Sequence, residues 1–250
     1  MIVLKTDREL KIMREAGRIA ANALKAAGAA VEPGVSTWEI DRVARSYIEE
    51  HGAKPTFLGY GGFPASACVS VNEVVIHGIP NKHKIVREGD IVSIDVGATY
   101  EGFVGDNAFT FPCGDVSPEA KRLMDTTRES LYEGIKAAVA GARIGDIGSA
   151  VQRYAEARGY SVVRDFVGHG VGAKMHEDPS VPNYGTPGRG VRLLPGMTIA
   201  IEPMINQGAK EVRTLSDGWT TVAADGKLSA HFENSIAITP EGPVILTLAD

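Results

Sequence analysis

Residues 90–109, DIVSIDVGATYEGFVGDNAF, read as two strands folded back on each other, each carrying an acid. Val92, Ile94 and Val96 fall on one face and Ser93 and Asp95 on the other, the period-2 alternation of a half-buried strand. A turn centred on Tyr100 and Glu101 sets Asp95 directly opposite Asp106, and directly opposed residues hold their Cβ atoms about 4.5 to 5.5 Å apart. Two carboxylates that close destabilise a sheet unless positive charge lies between them, and a divalent cation with oxygen ligands supplies it. The alternatives are that both aspartates are solvated, or that a one-residue shift of the turn separates them.

Burying such a pair takes a sizeable core. The 250 residues, 44% hydrophobic with mean hydropathy near zero, provide one, as one large domain or two small ones. Net charge is −5 and the basic residues are spread along the chain, so no lysine or arginine cluster offers a surface for nucleic acid or membrane. Cys68 and Cys113 form no metal-like pair, and a chain of this size does not depend on a disulfide, which favours a reducing compartment. The start, MIVLKTDREL, lacks an apolar run of signal-peptide length, and no later stretch reaches the ~18 apolar residues of a membrane span. The expected location is the cytoplasm.

Around the hairpin the chain repeats an order. Thr6 and Glu9 have capping-box spacing ahead of an apolar stripe (Ile12, Ala16, Ile19, Ala20, Ala23, Ala27) that Gly28 can close. Ser36 and Glu39 open a second helix with Ile40, Val43, Ala44, Tyr47 and Ile48 on one side, ending at His51 and Gly52. Strands follow. Then Ser117 with Pro118 starts a third helix running to Gly141, Asp146 caps a fourth that ends at Gly159, and strands follow again. Two helices and then antiparallel strands, twice over, predict an α+β fold in which two helix pairs cover one face of a curved antiparallel sheet. No linker rich in Pro, Ser or charge separates the halves, so residues 1–250 are expected to form a single pseudo-two-fold domain.

The second half carries acids with the same facing logic. In TIAIEPMI, Ile199 and Ile201 oppose Ala200 and Glu202; in SAHFENSIAI, Phe232, Ile236 and Ile238 oppose His231, Glu233 and Ser235. An unpartnered carboxylate buried there costs several kcal/mol or takes up a proton. Glu202 alone reads equally well as a rim residue; the four acids together read as a cluster. His169 stands in DFVGHGVGAK, where Gly168, Gly170 and Gly172 permit close backbone approach, and His176 follows in MHEDP. A lone histidine in a glycine loop is more often solvent-exposed than a ligand, and GHGVGAK matches neither phosphate-binding glycine motif. Four carboxylates and an imidazole make a mainly oxygen cage suited to Mn, Fe(II) or Co, and their four charges balance two divalent ions. Such a pair of ions points to metal-assisted hydrolysis.

With LGYGGFPASACVSVNEVVIHGIP, SIDVGATYEGFVGDNAFTF, GHGVGAKMHEDPSVPNYG, PGMTIAIEPM and HFENSIAIT, the chain is similar over nearly its whole length to the type I methionine aminopeptidases, metallopeptidases of the pita-bread fold. The resemblance implies a metal set of Asp95, Asp106, His169, Glu202 and Glu233, with Asp106 and Glu233 bridging two divalent ions; Co, Mn and Fe(II) are the first candidates, with Zn and Ni behind them. It implies removal of methionine from nascent polypeptide N-termini whose second residue is small, through a bridging hydroxide. Glu202 would shuttle the proton, His176 would stabilise the tetrahedral oxygen and His77 would contact the scissile amide. Tyr60, Phe63, Cys68 and Trp219 would line the methionine pocket, although Tyr60 and Phe63 also fit ordinary core packing. A monomer is expected, with the ribosome as a further candidate partner. Phe57, Phe63 and Met175 depart from residues common in the family, which touches pocket shape and leaves the ligands intact. Two rivals are proline-directed relatives, which share the five ligands, and non-catalytic pita-bread modules, which typically lose them.

Overall fold

Caps and apolar stripes set the four helices. The computed structural model describes all of residues 1–250. Helix α1 (Asp7–Ala29) starts where the Thr6 hydroxyl accepts from the Glu9 amide and the Glu9 carboxylate accepts from the Thr6 amide, and α2 (Thr37–Glu50) repeats this with Ser36 and Glu39. Helix α3 (Pro118–Ala137) opens at Ser117, with proline where a missing amide costs nothing, and stops four residues short of Gly141. Helix α4 (Ile144–Glu156) begins earlier than expected. Asp146 is its third residue rather than its cap: one carboxylate oxygen accepts from the Arg143 amide at 2.7 Å and the other from the Gly188 amide at 2.7 Å. Aspartate at either position leaves the same local sequence pattern, which hid the difference.

Between the helix pairs lie β1 (Lys54–Pro55), a 3-10 turn (Tyr60–Gly62), β2 (Ala67–Val71), β3 (Val74–Ile76), β4 (Ile91–Tyr100) and β5 (Phe103–Pro112). After α4 come β6 (Ser161–Val162), β7 (Gly168–Gly170), β8 (Glu177–Val181), β9 (Thr198–Ile201), β10 (Met204–Asn206), β11 (Val212–Thr214) and β12 (Thr221–Ala223). The chain ends with β13 (Ser229–His231), β14 (Asn234–Thr239) and β15 (Gly242–Ile245). Every pairing is antiparallel. The fold is α+β in the arrangement the element order predicts, and no helix is long and apolar enough to cross a membrane.

The hairpin register differs from expectation. The turn is Glu101–Gly102, both at positive φ, so Tyr100 pairs with Phe103, Asp95 with Ala108 and Asp106 with Gly97. Glycine supplies the second left-handed position of a two-residue hairpin turn, which centres the turn there. A two-residue displacement keeps both acids on the predicted face and makes them diagonal neighbours.

Each half has its own core. Ile19, Ala23, Ile40, Ile48, Val69 and Ile94 pack between α1, α2 and the first strands, while Leu123, Leu131, Ile147, Ile199, Ile201 and Ile236 pack beneath α3 and α4. Phe109 touches both clusters. Helix α1 lies on β5 backbone to backbone: a Cβ on Gly105 would collide with Gly17, and one on Gly17 with the Leu246 carbonyl. The halves join at a seam where Ala108 and Glu233 exchange backbone hydrogen bonds of 2.9 and 3.4 Å. On either side hydroxyls span the widening gap. Ser235 Oγ accepts from the Asp106 amide and donates to its carbonyl, and Thr110 Oγ1 donates to the His231 carbonyl and accepts from its amide.

Candidate metal centre

The acids converge because the registers line them up. Cys68 pairs with Asp95, Asp95 with Ala108, and Ala108 with Glu233 across the seam. Ile201 paired with Asn234 and Met204 with His231 share one register, which sets Glu202 opposite Glu233. Directly opposed residues share a face, so Cys68, Asp95, Glu233 and Glu202 form a row straight across the sheet. Asp106 joins it as the diagonal neighbour of Asp95. His169 joins from β7, through the pairing of Gly170 with Ile199.

The resulting cluster is tight. One ligand atom each from Asp106, His169 and Glu233 lie within 4.8 Å of one another, as do atoms of Glu202, His231 and Glu233. His169 Nε2 is 3.6 Å from Asp106 Oδ2 and 3.5 Å from Glu202 Oε1. Its Nδ1 is 2.8 Å from the Gly170 carbonyl, an acceptor, which puts the proton on Nδ1 and a lone pair on Nε2. Asp95 Oδ1, Asp106 Oδ1 and Glu233 Oε1 are buried without a hydrogen-bond partner, and no lysine or arginine lines the cleft. Burial, reinforced by the neighbouring carboxylates, pushes the Asp95, Glu202 and Glu233 carboxyls well above their ordinary range, and burial lifts Asp106 to about 7. Burial holds His169 down to about 4, so its imidazole is neutral at pH 7. Unpartnered buried oxygens with no protein cation and one deprotonated imidazole nitrogen are the donor set that a hard divalent ion fits.

The same cleft gathers the remaining expected residues. Tyr60, Phe63, Cys68, Trp219, His77 and His176 all line it, together with Phe57 and Met175. Phe63 stands edge-on to Trp219 with centroids 5.2 Å apart, and Trp219 likewise meets His77 at 6.1 Å. Cys68, beside Asp95 in the row, has its thiol pushed up by burial and by the acids around it. His77 adopts a left-handed backbone, φ 58°, uncommon for a side-chain-bearing residue. Burial lowers it to about 4, and lowers His176 as well. His176 lies against His169 with ring centroids 4.2 Å apart and the planes tilted by 58°, and its Nδ1 is 2.7 Å from the Tyr60 hydroxyl. Tyr60 is 45% exposed, at the rim rather than in the core.

One buried imidazole beside the acids was not among the expected site residues. His231 Nε2 lies 3.7 Å from Glu202 Oε2. Its position two residues before Glu233 marks it as facing the same way, yet only the strand register reveals that Glu202 stands next to it.

Known proteins share this sequence and fold. Residues 11–240 match metallopeptidase family M24. The chain is 52% identical over 250 residues, the full length of both, to a methionine aminopeptidase of Clostridium acetobutylicum. The crystal structure of methionine aminopeptidase from Thermotoga maritima superposes with a TM-score of 0.97 at 47% identity, covering 99% of each chain. A prolidase from Pyrococcus horikoshii shares the fold alone, at 24% identity and a TM-score of 0.81, with 65% of its length covered. A full-length match at this identity, on a fold that gathers acids and imidazole in one cleft, places this chain among the methionine aminopeptidases of metallopeptidase family M24.

Proposed function

We propose that this chain removes the N-terminal methionine of nascent polypeptides whose second residue is small, with two divalent ions held by Asp95, Asp106, His169, Glu202 and Glu233. The observation that carries this reading is the row of buried acids with unpartnered oxygens, adjoining an apolar pocket of aromatic and sulfur-bearing side chains. Mn, Co and Fe(II) suit the oxygen-rich set best. When bound, the ions supply Lewis acidity and a water acidic enough to act as nucleophile at neutral pH.

The protein's own groups handle the substrate and the protons. Tyr60, Phe63, Cys68 and Trp219, narrowed by Phe57 and Met175, take the methionine side chain, for which soft and aromatic surfaces are suited. Glu202, lining the cleft at the end of the acid row, receives a proton from the attacking water and delivers it to the leaving nitrogen. If the Tyr60 hydroxyl donates to His176 Nδ1, Nε2 carries the ring proton and donates to the tetrahedral oxygen. His77, set by its left-handed backbone against Trp219 and Phe166, meets the scissile amide. Because the acid row spans both halves, residues 1–250 act as one catalytic domain, a cytoplasmic monomer that meets its substrates as they leave the ribosome.

The test is to incubate the purified protein with Mn, Co or Fe(II) and peptides beginning Met-Ala, Met-Leu and Ala-Pro. Methionine release from Met-Ala alone is expected. Cleavage of Ala-Pro with Met-Ala intact would replace this reading with a proline-directed one.

A further inference from the structure

His231 has none of the roles above, yet it is fixed against the proton carrier. Its backbone amide and carbonyl are both held by Thr110 Oγ1, at 3.0 and 2.9 Å, and the residue is 2% exposed. Its Nε2 has no hydrogen-bond partner and faces Glu202 Oε2 at 3.7 Å, while the other oxygen, Oε1, faces His169 Nε2 at 3.5 Å. Glu202 therefore stands between two imidazoles, one for each oxygen.

The imidazoles differ at their other nitrogen. His169 spends its Nδ1 proton on the Gly170 carbonyl and offers a lone pair at Nε2, the arrangement of a metal ligand. His231 has no such anchor: Nδ1 is not engaged by any protein acceptor, and the group facing Nε2 is a carboxylate. Once Glu202 serves as an ionised metal ligand it only accepts, which puts the proton of a facing imidazole on Nε2.

We infer that His231 is a positioning residue whose Nε2–H holds Glu202 Oε2, leaving Oε1 turned toward His169 and the metal set. The inference rests on Glu202 being the proton carrier. The present separation exceeds a hydrogen bond, and a side-chain adjustment of about 1 Å or less closes it. Holding one oxygen fixes the rotation of the carboxyl, so the other presents the same lone pair at each turnover. A neutral donor does this without adding charge to the cluster.

Two experiments test it. In Zn(II)-loaded protein, long-range nitrogen–proton NMR spectra of the imidazoles should show the proton on Nε2 of His231 and on Nδ1 of His169; an unprotonated Nε2 at His231 would mean that it binds the metal itself, and the inference falls. Kinetics with a Met-Ala-Ser peptide supply the second. His231→Ala should lower kcat about tenfold, the usual scale for a partner of a metal-site ligand, with KM and bound Mn(II) stoichiometry unchanged. His231→Gln, whose amide N–H can reach the same oxygen, should recover most of that loss. Equal losses in the two variants, or loss of a Mn(II) ion in His231→Ala, would overturn the assignment. The Zn(II) spectra need no substrate, so a failure to release methionine would be told apart from a failure here.

Discussion

In the first half, β4 and β5 pair without interruption from Ile91–Pro112 to Tyr100–Phe103, and Asp95 and Asp106 sit inside the ladder. In the second, β9 with β14 and β10 with β13 keep one register but stop pairing where Glu202 meets Glu233. The intact ladder holds its acids rigidly. The broken one releases the Glu233 backbone, which pairs with Ala108 instead and so stitches the halves together beside the acids. An interruption that looks like a defect in one strand pair is what brings the acids of the two halves together, beside a shared cluster in which Met13, Phe57 and Val104 meet Val171, Ala237 and Leu246.

The largest way to break this division of labour is to remove the acid that belongs to the intact ladder but meets the other half. Asp106→Asn keeps the shape and the Ser235 backbone bridge while removing one charge from the centre of the cluster. It should abolish methionine release and reduce bound metal together, measured by elemental analysis and peptide hydrolysis on the same sample; full activity would show that the ladder's acid is not part of the site.

The cluster's protonation sharpens the comparison. Burial raises Asp106 to about 7 in the metal-free protein, against 3.8 in an ordinary setting, so a proton must leave it when a cation binds below that pH. His169, held to about 4, is already neutral and does not compete. Mn(II) affinity should therefore rise with pH between 6 and 7 by up to about tenfold for each proton displaced, read from free Mn(II) by electron paramagnetic resonance. The linked stability has the opposite slope without metal. The unfolded chain loses this proton near 3.8 and the folded chain near 7, so the Asp106 contribution weakens as pH rises between those values. The gap in Tm between loaded and chelator-treated protein should widen over the same interval.

Smaller effects separate the ladder from the seam. Gly105→Ala drives a Cβ into the Gly17 backbone and should cost about 3 kcal/mol, seen as a lower denaturation midpoint, because neither backbone can yield cheaply. Thr110→Val keeps the volume but strips the His231 amide and carbonyl of their partner; about 2 kcal/mol is expected, with a loss of activity that Gly105→Ala does not share once folded. Equal activity losses per unit of destabilisation would show that the seam has no special part in holding the acids.

Much of this was legible in the chain. The capping boxes at Thr6–Glu9 and Ser36–Glu39 announced the first helix pair, and alternation placed Asp95, Glu202 and Glu233 on the strand faces opposite the apolar rows, with the hairpin turn putting Asp106 on the same face as Asp95. Register was not legible to the residue. Glu101–Gly102 and Tyr100–Glu101 are both plausible turn centres until the left-handed backbone is seen at Gly102. Nor was the seam, because hydroxyls on Thr110 and Ser235 replace part of the ladder and leave no periodic signature. His231 was hidden for that reason: its spacing from Glu233 gave its face, and only the second strand's register gave its neighbour. Pro203, which has no amide to donate, was the one local sign that the second ladder breaks where it does.

Anomalous diffraction from crystals grown with Mn(II) tests most directly whether acids from both halves trap a pair of cations. Two adjacent peaks, both contacted by Asp106 and Glu233 and flanked by Asp95 on one side and by His169 and Glu202 on the other, are expected. A single peak held by one half alone, or peaks only at surface carboxylates, would contradict it.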